Sequence, residues 1–198
     1  PITPSGGEIL TVGPASVSSI FNSVGVPLLD IDGITINLVD ELAPTIEFTN
    51  PVNGETGVPS GANITLNFSE QIRNSLDESN ITNSNASDCF ILEEAVSGED
   101  LSYTITSGDQ IEFVINPDGQ LPEYTEIKLS ILATIEDQND NGLQFDTLRF
   151  LTEDETAPEI QSSAISPIND YVSITFNEEV YDTDDGSGAI EVDDLTYI

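Results

Sequence analysis

The sequence has no histidine, no methionine and no tryptophan, one cysteine, and only three lysine or arginine residues among 198. Without histidine, Ser-His-Asp and Cys-His nucleophilic centres and imidazole-ligated metal sites are excluded within these residues. The lone Cys89 cannot form an intrachain disulfide. In the context Cys-Phe-Ile-Leu, with no base to activate it, it reads as a small core residue rather than a nucleophile. Lack of disulfides does not fix the compartment, because it is common to many chains outside the cytosol. The three cations face 37 acidic residues, for a formal charge of −34. That balance repels nucleic acid and anionic membrane surfaces, so neither is an expected partner. No apolar run reaches the length of a membrane span, and membrane insertion of this segment is not expected. There is no initiator methionine or leader peptide, and we expect an excerpt of a longer protein.

What the sequence does have is a repeat. Asp40-Glu41-Leu42-Ala43-Pro44-Thr45-Ile46 returns as Asp154-Glu155-Thr156-Ala157-Pro158-Glu159-Ile160. Ile64-Thr65-Leu66-Asn67-Phe68-Ser69-Glu70 returns as Val172-Ser173-Ile174-Thr175-Phe176-Asn177-Glu178. A period near 110 residues is too long for a solenoid turn and suits one β-sandwich per repeat. Residues 1–42 then read as the tail of a preceding β-rich unit, 43–153 as one complete unit, and 154–198 as a linker and the start of a further unit.

Hydrophobic residues make up 37% of the chain and alternate with polar ones, which argues against disorder. Ile64, Leu66 and Phe68 share one face of a strand. So do Leu101, Tyr103 and Ile105, then Ile111, Phe113 and Ile115, then Ile127, Leu129 and Ile131. Leu148 and Phe150 close the unit, as Ile34 and Ile36 close the one before it. Turn residues punctuate the runs: Asn50-Pro51-Val52-Asn53-Gly54, Ser107-Gly108-Asp109 and Pro117-Asp118-Gly119. Residues 73–87 are polar and read as a long loop. Short alternating strands between turns predict an all-β chain of tandem antiparallel sandwiches, joined by short acidic linkers that contain proline. Phe48, Leu66, Phe68, Phe113, Leu129 and Phe150 are the expected core of the complete unit.

These landmarks resemble the bacterial Ig-like repeat of the Big_5 or S-layer-associated type. The resemblance rests on Ala43-Pro44-Thr45-Ile46, on Asn50 through Pro59, and on Ile64 through Glu70. It continues through Leu121-Pro122-Glu123-Tyr124-Thr125, Asp137 through Gly142, and Phe150-Leu151-Thr152. Ile127 stands where the family carries tyrosine, and the Gly/Asn order near residue 141 is altered. The resemblance implies a tandem Ig-like sandwich in a secreted or cell-surface protein of many domains; it does not imply an enzyme, and none is expected in this segment.

Three groups are candidate Ca²⁺ ligands. Asp137, Asn139 and Asn141, followed by Gly142, match the first half of an EF-hand loop, whose alternating oxygens suit a hard cation. The twelfth position is Leu148 rather than glutamate, which excludes a complete EF-hand; the competing reading is an Asx-rich turn. The linker acids Asp40, Glu41, Asp154 and Glu155 form the second group, with Glu70 and Glu178 on matching strands able to reach toward a junction. Asp182 and Asp184 in an acidic loop form the third, and there an exposed loop is the bland alternative. No catalytic residues are assigned, because carboxylate pairs are too abundant here for any one pair to signal a glycosidase. The expected function is a stalk or spacer in a surface adhesin, stiffened by Ca²⁺. Its partners are neighbouring Ig-like repeats and, through a distant tip domain, surface glycans or other cells. The alternatives are a self-assembling surface layer or filament, or an accessory module of a secreted hydrolase.

Overall fold

Residues whose side chains alternate between apolar and polar form strands with one buried face. The computed structural model describes residues 3–16, 19–28, 33–183 and 186–191. It divides into two compact units, Pro1–Glu153 and Asp154–Ile198. The first begins with an antiparallel pair, β1 (Ile9–Val12) and β2 (Ile34–Asn37). The strands that follow are β3 (Ile46–Asn50), β4 (Glu55–Val58), β5 (Ile64–Phe68), β6 (Arg73–Asn74), β7 (Phe90–Glu94) and β8 (Tyr103–Thr106). Then come β9 (Glu112–Pro117), β10 (Glu126–Ile131), β11 (Ile135–Glu136) and β12 (Asp146–Thr152). A single 3-10 turn, Ala86–Asp88, interrupts the 73–87 loop before β7. No helix among the described residues is long and apolar enough to cross a membrane.

Two four-stranded sheets make the sandwich, ordered β3-β5-β9-β8 and β4-β12-β10-β7. All pairings are antiparallel except β4 with β12. The inner faces supply the core. Leu66 and Phe68 of β5 and Phe113 of β9 meet Phe90 and Leu92 of β7, Leu129 of β10 and Phe150 of β12, all at or near zero exposure. Phe113 is the hinge of this packing. It meets Phe68 edge-on at a centroid distance of 5.8 Å and Phe90 at 6.0 Å, so aromatic contacts tie one sheet to the other. Cys89 is buried as a core residue, and burial pushes its thiol up to about 12, so it stays protonated at neutral pH. The Leu-Pro-x-x-Thr motif is held by one hydroxyl. Thr152 Oγ1 accepts from the Thr125 amide at 2.9 Å and lies 2.6 Å from the Pro122 carbonyl.

Phe48 departs from the expected core. Ile46 pairs with Phe68, but a bulge intervenes and Phe48 pairs with Asn67 instead of Leu66. The extra residue turns the Phe48 ring to the outer face, where it is 53% exposed. The segment read as turns after Asn50 contains β4, whose short run Glu-Thr-Gly-Val shows no alternation.

Among its described residues the second unit contains one antiparallel pair, β13 (Ile160–Ile165) and β14 (Val172–Phe176). Its pairing reproduces that of β3 and β5. Ile160 faces Phe176 as Ile46 faces Phe68, and each pair is followed by a bulge. The backbone bond Asn177 N–H to Glu159 O matches Ser69 N–H to Thr45 O. In each case the return bond runs from the Glu159 or Thr45 amide to the side chain of Asn177 or Ser69.

Truncating Phe68 removes the ring that Phe113 packs on, and Phe68→Ala should destabilise the first unit by about 3–5 kcal/mol. Phe48→Ala should stay within about 0.5 kcal/mol of the parent, as exposed positions do. Urea unfolding of both variants, followed by tyrosine fluorescence, measures the difference. Equal losses would show that the bulge does not direct Phe48 outward.

Candidate metal centre

Asp137 follows β11 and opens a tight turn that it holds itself. Its Oδ1 accepts the main-chain amides of Asn139 at 2.7 Å and Asn141 at 2.9 Å. The Asp137 amide donates back to the Asn141 carbonyl, and Asp140 takes a left-handed φ of 68° to close the loop. Asp137 is fully buried. Its Oδ2 accepts the Asn141 side-chain amide at 2.8 Å, and the same amide donates to the Asp40 carbonyl at 3.2 Å. Asn141 thus ties this loop to the segment that leads into β3.

That tie brings three carboxylates together. Asp40, Glu70 and Asp137 each offer an oxygen within 4.8 Å of the others. Asp40 is fixed by an Asx turn, its Oδ1 accepting the Leu42 amide at 3.0 Å. Glu70 follows β5, whose end is anchored by the Ser69–Thr45 bonds. Burial raises the pKa of Glu70, and the charges of Asp137 and Asp40 raise it further. At 4.8 Å each like-charged pair repels by about 3.5 kcal/mol at an effective dielectric near 20, before screening by solvent.

The opposite side of the same loop holds a cation. Arg73 on β6 donates to Glu136 at 2.9 Å and to Asp140 at 2.5 Å, with Glu78 at 4.0 Å. Burial works against its charge, but the hydrogen bond and charge of Glu136, with Glu78 and Asp140, leave its pKa above the ordinary value. The other two cations are engaged elsewhere, Lys128 with Glu93 and Arg149 with Glu126. No lysine or arginine therefore remains to pair with the Asp40–Glu70–Asp137 group.

An all-oxygen donor set of this spacing fits a hard divalent ion. Two oxygens on one Ca²⁺ at 2.3–2.6 Å lie no more than about 5 Å apart. The structure joins members of two of the candidate groups: Asp40 and Glu70 from the linker group, and Asp137 from the loop after β11. Asn139 contributes its main-chain amide to the turn and has an exposed residue surface, and Glu41 is exposed. Asp154, Glu155, Glu178 and Asp182 belong to the second unit, the first two and Asp182 exposed and Glu178 partly buried. Asp154 Oδ1 accepts the Thr156 amide at 3.1 Å, repeating the Asp40 turn. Asp184 lies outside the described residues. Sequence reading missed Arg73 as the partner of this loop. Its signal was the rarity of cations: a buried arginine in so acidic a chain must lie against carboxylates.

The profile of the bacterial Ig-like domain matches residues 40–152. No curated protein matches the chain. Solved structures align with the chain at low identity. The S-layer protein rSbsC(31-844) aligns with 11% identity and a TM-score of 0.39, over 68% of this chain and 18% of that one. CopC from Methylosinus trichosporium OB3b aligns with 9% identity and a TM-score of 0.40, over 58% of this chain and 97% of that one. An L,D-transpeptidase from Mycobacterium tuberculosis H37Rv aligns with 14% identity and a TM-score of 0.35, over 67% and 48%. The chain thus spans less than a fifth of the S-layer structure it matches.

The raised pKa of Glu70 fixes the sign of a pH effect. Between its ordinary and its raised value the folded state holds more protons than the unfolded one, so this group's contribution falls as pH rises through that window. Glu70→Gln removes the penalty. In chelator at pH 7 the variant should melt above the parent, and the gain should shrink as pH falls through the Glu70 titration. A lower melting temperature at pH 7 would show that Glu70 is stabilised by groups other than these.

Proposed function

We propose, on the premise that the chain belongs to the bacterial Ig-like domain family, that it is a run of structural repeats in a bacterial surface protein. The observation that carries this reading is the recurrence, in both units, of one strand pairing with the same bulge and the same flanking hydrogen bonds. A chain that builds the same element twice, behind the same Asx-capped Asp-Glu linker, is suited to spacing rather than to turnover. No catalytic role is assigned to any residue. The stalk reading extends to an adhesin: a secreted or surface-anchored array whose neighbours are further Ig-like repeats and whose distant tip engages glycans or other cells.

Calcium is the cofactor we propose for it. Asp40, Glu70 and Asp137 would hold the ion, which supplies the positive charge that the lysines and arginines leave unsupplied there. Asp40 lies on the entering segment, whereas Glu70 and Asp137 lie on the sandwich. A shared ion would therefore fix how the entering segment meets the unit. Binding to the folded state alone stabilises by about 2.7 kcal/mol when free Ca²⁺ is one hundred times the dissociation constant.

The test is the melting temperature of the full chain in millimolar Ca²⁺, in Mg²⁺, and in sodium chloride of equal ionic strength. Ca²⁺ should raise it most. Mg²⁺ should do less, because it needs tight octahedral geometry and gives up water reluctantly. The Ca²⁺ increment should vanish in Asp40→Ala with Glu70→Gln. If sodium chloride matches Ca²⁺, the effect is screening and the cation assignment fails. Small-angle scattering should show the chain longer in Ca²⁺ than in chelator. The same length in both would remove the stiffening role.

A further inference from the structure

The pair β1–β2 copies the pair β10–β12. Leu10 pairs with Ile36 and Val12 with Ile34, as Ile127 pairs with Phe150 and Leu129 with Leu148. Between the strands the two loops differ in length, yet each carries the same turn. Phe21 bridges Pro27 as Glu136 bridges Gly142. The Leu28 amide donates to the Ile20 carbonyl as the Leu143 amide donates to that of Ile135. The Asn22 amide donates to the Val26 carbonyl as Asp137 does to that of Asn141. Asn22 Oδ1 accepts the amides of Val24 at 3.0 Å and Val26 at 2.9 Å, the bonds that Asp137 Oδ1 receives from Asn139 and Asn141. Gly25, with φ of 85°, holds the left-handed place of Asp140.

We propose that Asn22 is the charge-free counterpart of Asp137, and that the charge at 137 is dispensable for the turn and sets only what the Asp40–Glu70–Asp137 group attracts. Asn22 makes both turn bonds through a neutral carbonyl oxygen. Val26, in the place of Asn141, has no side-chain amide, so the bond from Asn141 to Asp137 Oδ2 is not required for the turn either. Phe21 and Gly25, in the places of Glu136 and Asp140, give an arginine nothing to clamp, and the turn still forms. What remains unique to Asp137 is a full negative charge, buried beside two other carboxylates. Units of this kind would then differ at one position, a loop with aspartate taking a divalent ion and a loop with asparagine taking none. The second half of this inference rests on the cation reading above; the first does not.

Asp137→Asn in the full chain separates the two. In chelator it should melt at or above the parent temperature, with the exchange protection of the Asn139 and Asn141 amides retained. Asp137→Ala, which removes the acceptor, should melt lower and lose that protection. A fall in Asp137→Asn comparable to that of Asp137→Ala would overturn the inference, because the fold would then need the charge. In Ca²⁺, measured by calorimetric titration, Asp137→Asn should weaken binding at least tenfold; binding at parental affinity would also overturn it. If the parent binds no Ca²⁺, the cation reading fails alone, and the chelator comparison still decides whether the charge serves the turn.

Discussion

Three cations for 37 carboxylates is the constraint to which the rest of the structure answers. Most acids meet it by exposure, where water screens them. Several meet it by becoming turn acceptors. Asp109 takes the amides of Ile111 and Glu112 at the β8–β9 hairpin, and these bonds lower its pKa; Asp40 and Asp154 cap the two linkers in the same manner. Two of the three cations meet partly buried acids, Arg73 with Glu136 and Lys128 with Glu93. Arg73 and Glu136 have side chains only 12% and 13% exposed, so their pair is shielded from solvent. The Arg149–Glu126 pair, nearly half exposed, adds at most about 1 kcal/mol. One group is left over, and it contains the fully buried Asp137.

The sandwich tolerates this imbalance because its interior holds few charges. β5 reads buried at every second residue, and the facing strands β10 and β12 supply Ile127, Leu129, Leu148 and Phe150. Apolar burial is proportional to area and indifferent to surface charge sign. The acidic surface can therefore vary while the core holds the strands in register. That separation lets one fold carry a joint whose chemistry is set by a few surface-loop residues.

Alternation made the strands legible: β5, β9, β10 and β12 lie where period two places them, because each has one dry face and one wet face. Phe48 failed because a bulge is a change of count, not of composition, and Glu47-Phe48 carries no residue that announces it. β4 failed because its parallel partner β12 lies far along the chain, and pairing across that distance leaves no local pattern. The acidic group was legible only in parts. Asp40 stood out by its linker motif, with Glu70 read as able to reach toward that junction, and Asp137 by a calcium-like spacing. Their meeting depends on Asn141 bridging to the Asp40 carbonyl across 101 residues, which no spacing encodes.

The same loop carries a motif with two readings. Asp-x-Asn-x-Asn-Gly reads as a ligand series, but in the folded chain the main-chain amides of Asn139 and Asn141 are committed to Asp137 Oδ1. The alternation that resembles a coordination loop is first a turn, formed because a short acceptor reaches two amides ahead and a left-handed residue follows. A turn needs only the acceptor oxygen. Burying a charge on that oxygen costs free energy that hydrogen bonds return in part, and the repulsion from Asp40 and Glu70 adds to the cost. An isolated unit optimised for stability alone would place asparagine there, as the Asn22 turn does. Aspartate at 137 is thus a local departure from the most stable choice, in a loop clamped by Arg73 on one side and open to two carboxylates on the other. Such departures, in a fold that is otherwise self-consistent, are found at functional or strained sites.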